Sequence, residues 1–178
     1  MYASPEARNE EISFGATLSP VALRNLFDHS AVHLSVEWRD LPAEAWTRQV
    51  RTAQGRTVPA SETIWMRTRE VWVHAVDLDN GAVFSDIPPD VLRRLIADIT
   101  AAWASRGTAD GLVVLPDLGQ GAPALRPGND NDNTDGSTTV SGPLPALARW
   151  ATGRGTMGIT AVKNGTVLPE VPAAPRWI

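Results

Sequence analysis

The stretch RTREVWVHAVDL, Arg67 to Leu78, limits the possible folds more than any other part of the chain. It contains no Gly or Pro and is rich in apolar residues, so it reads as one helix. At about 100° per residue, with Glu70 at zero, His74 falls at about 40°, Arg67 at about 60° and Asp77 at about −20°. These four form a narrow polar seam. Ile64, Val71 and Ala75 flank it on one side and Val73 on the other, while Trp65, Trp72 and Val76 cover the back. An ordinary surface helix shows the inverse, an apolar stripe along a polar cylinder. A helix apolar on most faces with one polar seam suits a bundle whose interior holds a site.

Composition narrows the function classes. The 178 residues allow one large or two small domains and a real core. An apolar content of 43% argues against wholesale disorder. The net charge of −4 offers no basic footprint, so nucleic acid is not an expected partner. No apolar run reaches the roughly 18 residues of a membrane span, so no membrane is expected either. The opening MYASPEARNEEISFG lacks the apolar core of a secretory signal, which predicts a cytoplasmic protein. With no cysteine, the chain has no disulfide, no thiolate ligand and no Cys nucleophile. Thiol chemistry would therefore need a thiol brought in from outside.

Along the chain, residues 1–18 hold no sustained period. Ser19 as N-cap and Pro20 at the first helical position then open a helix expected over 20–39. Leu23, Leu26, Phe27, Ser30, Leu34 and Trp38 form its stripe. LPAEAW predicts a break with a short helical turn, and RQVRTAQGRTVPA an extended connection. Ser61 reads as the N-cap of a helix over 62–79, with Gly81 closing it. The character changes there, and a boundary near residue 82 divides a helical region, 1–82, from an α+β region, 83–178. In the latter, PPDVLRRLIADITAAWASRG is an amphipathic helix ending at Gly107. GLVVLPD, APALRP and STTVSG read as strands, GNDNDNTDG as a polar loop and PLPALARWATGR as a short helix. The Pro-broken tail is expected to pack by Trp177. NGT at Asn164 fits a glycosylation acceptor pattern, without meaning in a cytoplasmic protein.

A carboxylate and an imidazole at i and i+4 project to one point and can share a metal ion. Glu70 and His74 are the candidate ligands. An ordinary helix pair or a solvated polar edge has the same spacing. Of the three histidines, His29 and His33 are also four apart. They read either as surface residues or, for His33, as a third ligand. Asp77 reads either as an orienting partner of the imidazole or as a helix-end acid linked to an arginine.

The segment RTAQGRTVPASETIWMRTREVWVHAVDLDNGAVFSDIP closely resembles the mycothiol-dependent maleylpyruvate isomerases of actinobacteria. The likeness is most specific in Glu62 to Leu78. It extends through MYASPEAR, LARWATGR and LPEVPAAPRWI, and so over nearly the whole chain. The resemblance implies an α+β protein, with a DinB-like four-helix bundle that holds a divalent metal, typically zinc, followed by a small sterol-carrier-like domain. It places Glu70 and His74 as metal ligands. It also implies a further His ligand from an early helix, which this chain lacks along with about the first two helices. An incomplete bundle would expose an apolar seam and self-associate. Arg8 and Arg154 correspond to the arginines that hold the substrate carboxylates, a role suited to a planar guanidinium. The implied activity is isomerisation of the diacid maleylpyruvate to fumarylpyruvate in gentisate catabolism, with mycothiol as the thiol cofactor. The thiolate adds to the cis double bond, the bond rotates, and elimination gives the trans product. Another thiol transferase acting on a different electrophile, or a non-catalytic helical binding module, are the rival readings.

Overall fold

The computed structural model describes residues 4–52, 55–117 and 136–177. The chain folds as two compact units, Met1–Thr68 and Arg69–Ile178.

The first unit begins with a helix, α1 (Pro5–Gly15), where no period was expected. The capping chemistry explains it: Ser4 is extended, and its hydroxyl accepts from the Ala7 amide at 3.2 Å. The helix is mostly exposed, so no burial stripe marks it in the sequence. The expected second helix runs as α2 (Pro20–Asp40), with Ser19 accepting from the Ala22 amide at 3.2 Å. A short 3-10 turn, Ala43–Thr47, follows. The extended connection is a small antiparallel hairpin, β1 (Gln49–Arg51) with β2 (Thr57–Pro59), in which Val50 faces Val58. The Ala60 amide to the Arg48 carbonyl and the Ser61 amide to the Trp46 carbonyl lead the chain into the next helix.

That helix, α3, spans Glu62–Asp77. It stops two residues before the expected end. Asp79, with φ of 49°, takes the left-handed conformation after it, ahead of Gly81. Trp65 and Val73 are buried, but Ile64 and Val71, the expected flanks, are exposed. The helix is therefore less enclosed than its composition suggested.

The second unit holds the dense core. After a 3-10 turn at Phe84–Asp86 comes α4 (Pro89–Arg106), which buries Leu92, Leu95, Ile96, Ile99, Thr100 and Trp103 at helical spacing. Gly107 closes it in the left-handed conformation. A four-stranded sheet follows, in the order β3 (Leu112–Pro116), β4 (Thr138–Gly142), β5 (Thr160–Lys163), β6 (Thr166–Val167). β3 and β4 are parallel; the other neighbours are antiparallel. The register aligns Val114, Val140 and Ala161 in one fully buried row. Helix α5 (Leu144–Ala151) joins β4 to β5 and packs on α4, β3 and β4. Trp150 of α5 meets Trp103 of α4 edge to face, with ring centroids 5.7 Å apart. Gly142 ends β4 where only glycine fits, since a Cβ there would lie 2.7 Å from the Gly158 carbonyl oxygen. Helices and a mixed sheet together give the expected α+β class.

The hairpin β5–β6 was not anticipated. Its turn is Asn164-Gly165, both with positive φ, the signature of a two-residue hairpin and the physical meaning of the NGT stretch. The proposed strand APALRP and most of the loop GNDNDNTDG lie outside the described residues.

Candidate functional site

The last two turns of α3 present Glu70, Val73 and His74 to a cavity of about 240 Å³ within the second unit. The turn after α5, residues 151–154, and tail residues 174–177 complete its wall. Val73 is buried, while Glu70 and His74 remain open enough to meet a ligand.

The turn after α5 is built by its sequence, ATGR. The Arg154 amide bonds the Arg149 carbonyl and the Gly153 amide bonds the Trp150 carbonyl, both at 2.8 Å. Gly153 has φ of 78°. This is a Schellman cap, with Gly at the left-handed position, and it fixes the backbone of Arg154 one residue later. The tail is tied from two sides. Trp150 donates its indole N–H to the Pro172 carbonyl at 2.8 Å, and Arg106 donates to the carbonyls of Arg176 and Trp177 at 2.6 and 3.0 Å. The Trp177 ring in turn lies under the Arg69 guanidinium, 5.1 Å from its centroid.

Arg154 and α3 meet through Asp77. The Arg154 Nε and Nη2 donate to the two Asp77 oxygens, each at 2.6 Å, and Nη1 donates to the Thr152 carbonyl at 2.8 Å. A guanidinium has five N–H donors, so among the described residues one on each terminal nitrogen is left over, a free fork for another acceptor. The Arg154 hydrogen bonds, aided by His74 and opposed by partial burial, pull the Asp77 carboxyl down to about 2.

The ionised Asp77 accepts from Nδ1 of His74 at 2.8 Å, so Nδ1 carries the proton. Nε2 of His74 then faces Oε2 of Glu70 at 3.2 Å. A ring lone pair and a carboxylate oxygen at that distance repel unless a proton or a metal ion lies between them. Two donors on one tetrahedral zinc, each at about 2.0–2.2 Å, are about 3.3–3.6 Å apart. The spacing of the pair is therefore close to that of two ligands on one ion. Oε1 of Glu70 is held by Arg69 Nη2 at 3.2 Å, leaving Oε2 for the cavity. Among the described residues, no group of three His, Cys, Asp or Glu side chains is placed to hold a metal.

Of the residues singled out from sequence, Glu70, His74, Asp77 and Arg154 are brought together. Both sequence readings of Asp77 hold at once, since it serves the imidazole and the arginine. Arg8 lies exposed on α1 and Arg67 exposed on α3, in the first unit. His29 and His33 sit on α2, where their rings are 6.2 Å apart and His33 is 3.7 Å from Glu37, as surface residues would be. Sequence reasoning missed Arg69 as the partner of Glu70 and the tail as cavity wall. Trp177 was the one available signal for the tail.

The mycothiol maleylpyruvate isomerase N-terminal domain matches residues 1–79, and the corresponding C-terminal domain matches residues 86–173. A crystal structure of the mycothiol-dependent maleylpyruvate isomerase is 51% identical, with a TM-score of 0.85 over 99% of this chain and 69% of that one. The structure of a mutant with one histidine changed to alanine matches equally well, with the same identity, coverage and TM-score. No curated protein matches the chain. The chain belongs to the mycothiol-dependent maleylpyruvate isomerase family, a family of isomerases.

Proposed function

We propose that this protein isomerises maleylpyruvate to fumarylpyruvate with mycothiol as its thiol and zinc, or another divalent ion, as its metal, in the catabolism of gentisate in the cytoplasm. The observation that carries the reading is the facing pair in the cavity, His74 Nε2 and Glu70 Oε2 at 3.2 Å, with Asp77 on the other ring nitrogen. A neutral imidazole oriented by a carboxylate is the usual form of a metal-binding histidine. Glu70 and His74 would hold the ion. The chemistry supplied there is a thiol held as thiolate near neutral pH, able to add to a cis double bond and leave after rotation.

The chain's own residues do the rest. Arg154 offers its free fork to one substrate carboxylate and offsets charge that develops on the adduct. Arg69 keeps Oε2 of Glu70 turned to the cavity by holding Oε1. Arg8 of α1 takes a second carboxylate, as the family resemblance assigns it. We place the division between the two family domains near residue 82, a reading supported by the matched stretches 1–79 and 86–173 and distinct from the division into compact units after Thr68. Apolar side chains exposed on α2, among them Leu26 and Phe27, support self-association of the chain.

Turnover of maleylpyruvate with mycothiol, followed in the zinc-loaded protein, tests the reading. Glu70→Gln and His74→Ala should each lower kcat/KM at least about 100-fold, and Arg8→Ala should chiefly raise KM. Absence of turnover in the unaltered zinc-loaded protein would sink the isomerase assignment. A different electrophile consumed with the same thiol would replace it by a thiol transferase.

A further inference from the structure

Asp77 occupies an unusual place. It is outside the cavity lining, yet it touches two residues that line it, His74 three positions before it and Arg154 77 positions after it. Its Oδ2 accepts from both His74 Nδ1 and Arg154 Nη2, while Oδ1 takes Arg154 Nε. The bidentate pairing fixes the plane of the carboxylate, and that plane fixes the direction from which Oδ2 meets the imidazole.

We propose that Asp77 is a positioning residue that links Arg154 to His74, so that the arginine sets the tautomer and orientation of a ring it does not touch. This rests on the assignment of His74 as a metal ligand. The linkage makes the carboxylate-binding edge and the metal-binding edge of the cavity one unit. Arg154, held by Asp77 on one side, keeps its free fork directed away from that pair. His74, held on Nδ1, keeps Nε2 available.

The sign of one effect separates this linkage from plain electrostatics. By charge alone, removing a cation near a metal site should tighten zinc binding. By the linkage, removing Arg154 loosens Asp77 and so weakens it. Zinc affinity is measured by competition with a chromophoric chelator. Asp77→Asn is expected to weaken it about 10–100-fold. Arg154→Gln is expected to weaken it by about threefold to tenfold, and the double variant by no more than Asp77→Asn alone. Zinc affinity that is unchanged or tighter in Arg154→Gln overturns the proposal, as does an unchanged affinity in Asp77→Asn.

A measurement on the unaltered protein keeps the test open should either variant fail to fold. With zinc bound, long-range nitrogen–proton NMR of the three histidines should show His74 as the Nδ1–H tautomer. The Nε2–H tautomer, or no zinc-dependent change at His74, overturns the proposal. Neither readout needs turnover. Zinc binding that follows the expected pattern without maleylpyruvate turnover removes the isomerase reading and leaves the linkage. Turnover with zinc affinity indifferent to both substitutions does the reverse.

Discussion

Helices α2 and α4 are similar in sequence and opposite in burial. Both open with Pro, both carry an apolar stripe at helical spacing, and both are long. Yet α4 buries six side chains, with Ile96, Ile99 and Trp103 fully enclosed, whereas α2 buries none. On α2, Leu26 and Phe27 are 53% and 61% exposed. Periodicity thus establishes that a helix forms and which face is apolar. It does not establish that anything covers the face. α4 has α5 against it, brought there by the Trp103–Trp150 contact.

The largest effect that would break this contrast is a core truncation. Trp103→Ala should cost about 3–5 kcal/mol in urea unfolding. Phe27→Ala should stay within about 0.5 kcal/mol, as for an exposed side chain. A comparable loss at both positions would mean that α2 is covered in solution, and light scattering would then show more than one 19.1 kDa chain per particle. Next in size is Gly142→Ala, where the added methyl meets a backbone carbonyl that cannot turn aside. About 1–3 kcal/mol should be lost, read from the same urea midpoint. Gly153→Ala tests the contrast at the cavity. There a Cβ meets no atom within 4 Å, so the cost is conformational alone, about 1–2 kcal/mol for a left-handed alanine. Because the Schellman cap carries Arg154, KM for the diacid should rise with it.

The smallest effect is a pH dependence confined to the second unit. Asp77 is lowered to about 2 in the folded protein, below its unfolded value near 3.8. Its pairing therefore adds stability that is fully present above about pH 4 and is lost as pH falls toward 2. With the side chain partly open to solvent, the increment is screened and modest. The difference in stability between the unaltered protein and Asp77→Asn should shrink as pH falls from about 4 and be lost below about 2. A constant difference across that range would contradict the assigned ionisation.

Much of this was legible in advance, for reasons that can be named. The capped ends of α2 and α4, the strands β3 and β4 and the short α5 follow from caps, turn residues and periodicity. Glu70 and His74 share a helix, so their convergence is local and readable. α1 was missed because an exposed helix has no apolar stripe, although Ser4 signalled its start. The β5–β6 hairpin was missed although Asn164-Gly165 announced it. That Asp77 meets an arginine was readable, but that the arginine is Arg154 was beyond reach. Each residue has an ordinary local reading, and only the fold of the second unit brings together side chains 77 positions apart.

The tie between Arg106 and the carbonyls of Arg176 and Trp177 makes one wall of the cavity a separable part. Residues 168–177 contain no helix or strand, and neither the buried row of the sheet nor the Trp103–Trp150 contact includes them. The cavity therefore depends on a strap laid over the core and held by a few hydrogen bonds and one ring contact, whereas the core does not depend on the cavity.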